Sequence, residues 1–240
     1  MIGRVLWFAV LLTIAGLTTV LQFDRQSERS PELAPLVPAP LRGYAQTRLA
    51  VTAIAGKNAP AALAAAQELV RRRPVPAEHL TLLAAAQAQA GMTEQAEFSI
   101  QIGAQRGWRD PVAQETVLRL ALAAGDKAEA ARRYAALFRR EATPDALLTA
   151  IGPQVFGAPG DVSRDTFALI IARASRWQDH FLQRGLLVMP PEAFGEIVGL
   201  AIARGAQFNC APLKTAIEGL RQRDAAATER LAAPAARRCS

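Results

Sequence analysis

Three glycines punctuate the first half of the chain at nearly equal intervals. Gly56, Gly91 and Gly125 lie 35 and 34 residues apart, each between two alanine-rich segments of helical length. Each is followed five residues later by an alanine: Ala61, Ala96 and Ala130. A helix–turn–helix unit recurring at such an interval predicts a stack of helical hairpins, in which each unit buries its apolar face only against its neighbours. That pattern narrows the architecture strongly, and leaves the activity open.

Composition fits this reading. Apolar residues make up 51% of the 240, much of it alanine, while aromatics contribute only 6%. Alanine favours helix and buries little area, so the core is expected to be closely spaced helices with Leu, Ile and Phe supplying most of the burial. The formal net charge of +7 comes from arginine far more than lysine. Abundant Arg and Ala together match a GC-rich bacterial genome. No Lys/Arg run is interleaved with aromatics as a single-stranded nucleic-acid platform requires, so nucleic acid is not expected as a partner.

Residues 5–23, VLWFAVLLTIAGLTTVLQF, carry no charge. As a helix they extend roughly 28 Å, close to the ~30 Å hydrocarbon core of a bilayer. Arg4 precedes them and a mixed-sign stretch follows, which by the positive-inside rule places the N-terminus in the cytoplasm and the remainder outside. A cleaved signal peptide and a buried core helix are the competing readings, but the Thr-Thr-Val-Leu-Gln-Phe after Leu17 lacks the small residues of a cleavage site. Residues 24–41 contain Pro31, Pro35, Pro38 and Pro40 and are expected to form an extended spacer lifting the folded part off the bilayer.

Helices are then expected at residues 44–55, capped by Gly56; 61–72, opened by Pro60; 77–90; 93–105, capped by Thr93; and 112–124, capped by Asp110. Asp126 opens another containing Ala130, Tyr134, Leu137 and Phe138. On these residues the segment from about 44 to 142 resembles tetratricopeptide repeats. The middle unit supplies Leu80, Leu83, Ala84, Gly91, Ala96, Ile100 and Gly103 at the family's signature places, and the next Val117, Leu118, Gly125, Ala130, Tyr134 and Leu137. The expected aromatic of the first helix is missing, and the closing proline falls one to two residues late. The resemblance implies a concave surface that holds peptide segments or partner domains, hence a scaffold or assembly role.

Past residue 146 the period fades while helical texture continues. Asp161 or Ser163 is expected to cap residues 164–176, Glu192 opens residues 192–204, and Pro212 begins 213–223. These segments read as divergent repeats sealing the end of the stack, with residues 232–240 a fraying tail. Outside the cytoplasm, Cys210 and Cys239 are candidates for a disulfide whose loop closure contributes roughly 3–4 kcal/mol in the entropic model.

Chemistry is sparse. His79 and His180 are the only histidines and sit near helix ends; no nucleophile motif, HExxH, phosphate loop or GxSxG accompanies them. No cofactor, metal site or catalytic residue is therefore expected. Arg71–Arg73, Arg132–Arg133 and Arg139–Arg140 fall late in helices, where cations complement the macrodipole, and could form an anionic-partner patch if they align. Trp108 and Trp177 are candidate binding anchors beside Arg132 and Arg133.

The sequence thus predicts an all-α solenoid of helical hairpins behind a transmembrane helix. Its segments are 1–23 (anchor), 24–41 (linker), 42–145 (repeats), 146–231 (divergent repeats and cap) and 232–240 (tail). The expected role is a bacterial inner-membrane scaffold presenting a periplasmic interaction domain to a protein partner, in envelope or polysaccharide-export assembly. One alternative is a murein- or glycan-acting enzyme with Glu192 or Glu196 as a lone catalytic carboxylate. Another is an arginine-based binder of anionic ligands. Self-association is left open.

Overall fold

The computed structural model describes residues 2–174 and 176–239, and all regular structure among them is helical. The order is α1 (Ile2–Gln26), two 3-10 turns (Pro31–Leu36 and Ala39–Leu41), α2 (Tyr44–Ala55), α3 (Ala59–Arg72), α4 (Ala77–Gln89), α5 (Thr93–Arg106), α6 (Pro111–Ala123) and α7 (Lys127–Phe138). It continues with α8 (Asp145–Phe156), α9 (Val162–Arg173), α10 (Gln178–Val188), α11 (Pro191–Ala203), α12 (Cys210–Arg223) and α13 (Ala225–Arg238). Two compact units divide at Ala113 and Gln114, inside α6 and within the segment read as repeats.

In the first unit, α1 is long and apolar enough to cross a membrane, and its most apolar window is 0% buried. The hairpins α2–α3 and α4–α5 follow, and α6–α7 repeats their local geometry. Each hairpin turns through one residue in the left-handed region: Lys57 (φ 53°), Gly91 (φ 75°) and Gly125 (φ 74°). The amide after each closes back on the preceding helix, with Asn58 N–Ala53 O at 3.3 Å, Met92 N–Gln87 O at 2.9 Å and Asp126 N–Ala121 O at 2.8 Å. This is the six-to-one bond of a Schellman termination. Five residues past each turn residue, Ala62, Ala96 and Ala130 are buried.

The register of the first hairpin therefore differs from the sequence expectation by one residue. Gly56 is right-handed (φ −73°) and Ala61 is exposed; Lys57 and Ala62 take the places of Gly91 and Ala96. The corrected interval is 34 residues at both steps. Lysine concealed it, because the left-handed position normally announces itself as glycine.

Side-chain caps vary at the same register. Asn58 Oδ1 accepts from Ala61 N (3.2 Å) and Asp126 Oδ1 from Glu129 N (2.9 Å). Between them Met92 occupies the cap position without a side-chain acceptor, so Thr93 lies within α5 and does not cap it. Asp110 caps α6, accepting from Val112 N (3.0 Å) and Ala113 N (3.3 Å), and receives the Thr81 hydroxyl at 2.5 Å. Asp161 precedes α9 but makes no side-chain cap bond, and Ser163 is buried in the first turn.

Packing between these hairpins is alanine against alanine. Ala62, Ala66 and Ala86 form a buried cluster edged by Ala53, Ile54 and Leu83, with Ala84 buried nearby. Where α5 ends against the start of α4, Gly107 is obligatory: a Cβ there would lie 2.5 Å from Ala77 Cβ.

The second unit packs differently. Tyr134 meets the edge of Phe156 at 5.0 Å and Phe167 at 5.8 Å, while Phe181 lies 5.9 Å from Phe138 and 5.6 Å from Phe194. Residues 232–238, expected to fray, continue α13. Asp224 Oδ1 accepts from Ala227 N (2.9 Å), Leu231 and Ala235 are buried, and Cys239 is bonded to Cys210 with a Cα–Cα distance of 5.7 Å. Pro234 sits inside that helix. Ser240 lies outside the described residues.

Candidate functional site

The Pro-rich segment is not an extended spacer. After α1 it folds back in two 3-10 turns, because Asp24 binds the start of α2. Asp24 is buried; its Oδ1 accepts from Gly43 N (2.8 Å) and Ala45 N (2.9 Å), and its Oδ2 from Tyr44 N (3.1 Å). Three amides that would otherwise lack partners are satisfied by one carboxylate, and the positive end of the α2 dipole faces it. A Cβ on Gly43 would stand 2.9 Å from that carboxylate. Ser27 Oγ donates to Asp24 O (2.5 Å), Arg48 donates to Glu28 O, and Arg42 Nε donates to Val37 O (2.7 Å). Ala34, Val37 and Ala45 then form a small buried cluster against Val20, Leu41 and Leu49. The apolar helix and the first hairpin are thereby one joined body.

Four arginines of the arginine runs pair with carboxylates one turn back on their own helices, while Arg73 stacks over Tyr44 at 4.9 Å and Arg139 over Trp177 at 5.7 Å. Arg71 Nη2 pairs with Glu68 at 2.6 Å and Arg72 pairs with the same carboxylate; those hydrogen bonds hold the Glu68 carboxyl down at about 2. Arg132 and Arg133 both pair with Glu129 at 2.5 Å. Burial pushes Glu129 up, and the hydrogen bonds from Arg132 and Arg133 outweigh it to leave the carboxyl below its ordinary value. Arg133 also donates to the buried Gln114 Oε1 at 3.2 Å. Each carboxylate is shared by two arginines, so each cluster keeps one net positive charge while its guanidinium geometry is held by its own helix. Exposed pairs such as Arg71–Glu68 contribute little stability.

The two tryptophans part company. Trp177 packs against Phe138 (6.0 Å) and Phe167 (6.4 Å) as part of the aromatic core. Trp108 is 42% exposed, with Arg109 stacked over it at 4.9 Å. Phe98, on α5, is 67% exposed, and the sequence reading did not single it out. Its place in an otherwise helical pattern gave no signal, since burial depends on a neighbour that sequence does not reveal.

In the second unit a shallow depression of about 300 Å³ is lined by Glu141, Asp145, His180, Gln183, Arg184 and Leu187. Its guanidinium is already committed. Arg184 donates to Phe138 O (2.5 Å), Arg140 O (3.0 Å), Thr143 O (2.5 Å) and Asp145 Oδ1 (2.8 Å), tying down the link between α7 and α8. His180 meets the Phe138 ring edge at 6.0 Å, and its Nε2 is buried without a partner. Among the described residues no group of three or more His, Cys, Asp or Glu side chains is placed to hold a metal ion.

Glu196 and Glu192 serve joins within the second unit. Glu196 accepts from Gly160 N (2.9 Å) and pairs with the buried Arg164, whose Nε donates to Phe156 O (2.9 Å). Glu192 pairs with Arg230 at 3.2 Å, linking α11 to α13. His79, in the first unit, is buried with Nδ1 2.8 Å from Arg73 O, and burial lowers its pKa from the ordinary 6.5. No family model, curated protein or solved structure matches the chain.

Proposed function

We propose that this protein is a membrane-anchored interaction scaffold of the tetratricopeptide type, holding a protein partner on its helical hairpins. The observation that carries the reading is the 34-residue lock of Lys57, Gly91 and Gly125, repeated in their closing hydrogen bonds and in buried Ala62, Ala96 and Ala130. A hairpin of that length, turned the same way three times, is the unit from which this class of scaffold is assembled. The exposed and predominantly apolar α1, with its threonine hydroxyls bonded back to the helix, supports anchoring in a bilayer. Arg4 before the span favours the hairpins on the far side of a bacterial inner membrane. Exposed Phe98 and Trp108 are the aromatic anchors that a partner would cover.

Neither competing reading gains a residue. The enzyme reading relied on Glu192 or Glu196, and both are engaged in helix-to-helix joins. The anionic-ligand reading relied on three arginine runs lining up, and four of those arginines are instead drawn to Glu68 and Glu129 on their own helices.

A photo-crosslinking residue placed at Phe98 or Trp108 of the full-length chain in native membranes tests the proposal. A discrete protein adduct at these two positions, missing when the label sits at Leu169 of α9, is expected. Adducts to glycan alone, or none at either position, would count against it.

A further inference from the structure

The 3-10 turns after α1 are placed against the membrane helix itself. Asp24 is the first charged residue after the apolar run, so in a bilayer the hydrocarbon boundary falls beside it. Val20 lies one turn earlier, about 6 Å inside that boundary, and it packs against Ala34, Val37 and Ala45. The segment from Pro31 to Pro40 therefore runs alongside the last apolar turn of α1.

Its outer face suits that depth. Pro31, Pro35, Pro38, Ala39 and Pro40 are exposed, and Leu36 at its tip is 71% exposed. Glu32 is its single charge. Backbone carbonyls that would be costly to carry into an interface already have donors: Arg42 serves Val37 O at 2.7 Å, and Arg72 serves Ala39 O at 2.5 Å. On α1 and the turn after it, Arg25 and Arg29, with Gln22, Gln26 and Glu28, line a concavity of about 390 Å³ at headgroup height.

We propose that Pro31–Pro40 is an interfacial wedge. It inserts Leu36 into the headgroup layer of the bilayer that α1 spans, with Arg25 and Arg29 meeting lipid phosphates. The wedge rests on the reading of α1 as a membrane span. Apolar residues on a short amphipathic segment bind an interface through buried area, and adjacent cations add attraction to anionic lipid. Leu36, which has no packing role inside the protein, then has one in the membrane.

The test uses the full-length chain with its native cysteines in their disulfide and one added cysteine, Leu36→Cys or Leu12→Cys, carrying an environment-sensitive dye. Each variant is reconstituted in vesicles of phosphatidylcholine and phosphatidylglycerol. The expected result at Leu36 is blue-shifted emission, with quenching by a lipid nitroxide near the headgroup at least about twofold stronger than for the Leu12 dye at mid-span. Iodide quenching of the Leu36 dye equal to that of the free dye overturns the wedge. The Leu12 dye separates the causes. If it is lipid-buried while Leu36 is aqueous, the wedge alone fails; if both are aqueous, the span fails with it.

Discussion

The two compact units bury their apolar surface by opposite means. In the first, alanines and glycines let helices approach closely, as at Ala62, Ala66, Ala86 and Gly107. In the second, six phenylalanines, Tyr134 and Trp177 interlock in edge-to-face and tilted contacts, and fully buried Arg164 is accommodated by carbonyl and carboxylate partners. Alanine offers little hydrophobic area per residue, so the first unit depends on regular geometry; an aromatic cluster supplies area and tolerates irregular connections. The regular 34-residue period accordingly runs through the alanine-packed hairpins, takes its last step at Gly125 and Ala130 where α7 enters the aromatic core, and lapses beyond it.

The largest effect should come from Phe181→Ala. Removing a ring that touches Phe138, Phe167 and Phe194 leaves a cavity worth about 3–5 kcal/mol. Hydrogen exchange on the full chain should show α9 to α11 losing protection while α3 to α5 keep theirs. Equal loss in both units would dissolve the comparison. A smaller effect distinguishes the hairpin turns: Gly91→Ala should destabilise by about 1 kcal/mol, because the new side chain meets open space and the cost is purely backbone. Lys57→Gly should stabilise by about 0.5–1 kcal/mol by relieving the one left-handed non-glycine residue among those described. Denaturation midpoints of the three chains check the order.

The smallest expected effect depends on pH. His79 has a folded-state pKa below its ordinary 6.5, so the unfolded chain binds more protons and stability rises with pH. The contribution is complete above about 6.5 and is lost as pH falls from there through the folded value. Protection factors of α4 amides, exchange measured relative to the intrinsic rate, should therefore fall as pH drops from about 7.5 to about 5.5, and His79→Gln should flatten that response.

Much of the helix pattern was legible because its signals are local. Asp110 and Asp126 cap helices where their position in the sequence suggested, and Gly91 and Gly125 turn hairpins where the spacing placed them. What escaped was decided at a distance. The prolines of residues 31–40 look extended until Asp24 captures three amides about twenty residues away. Residues 232–238 look frayed, with Pro234 among alanines and arginines, until Leu231 and Ala235 find the second unit's core. Arg164 and Arg184 resemble surface cations; their carbonyl partners lie eight to forty-six residues away.

The shared register of the hairpin turns makes the chain divisible. Residues 58–91 begin just after one left-handed residue and end on the next. Removing them would join Lys57 directly to Met92, and the turn would still close on the same kind of helix end, before the same buried alanine. A cut at any other interval would leave a turn residue in mid-helix or an alanine facing water. Gene duplication or excision in steps of one hairpin is thus the change of length this part of the molecule can absorb, and the alanine-packed half is the part able to grow.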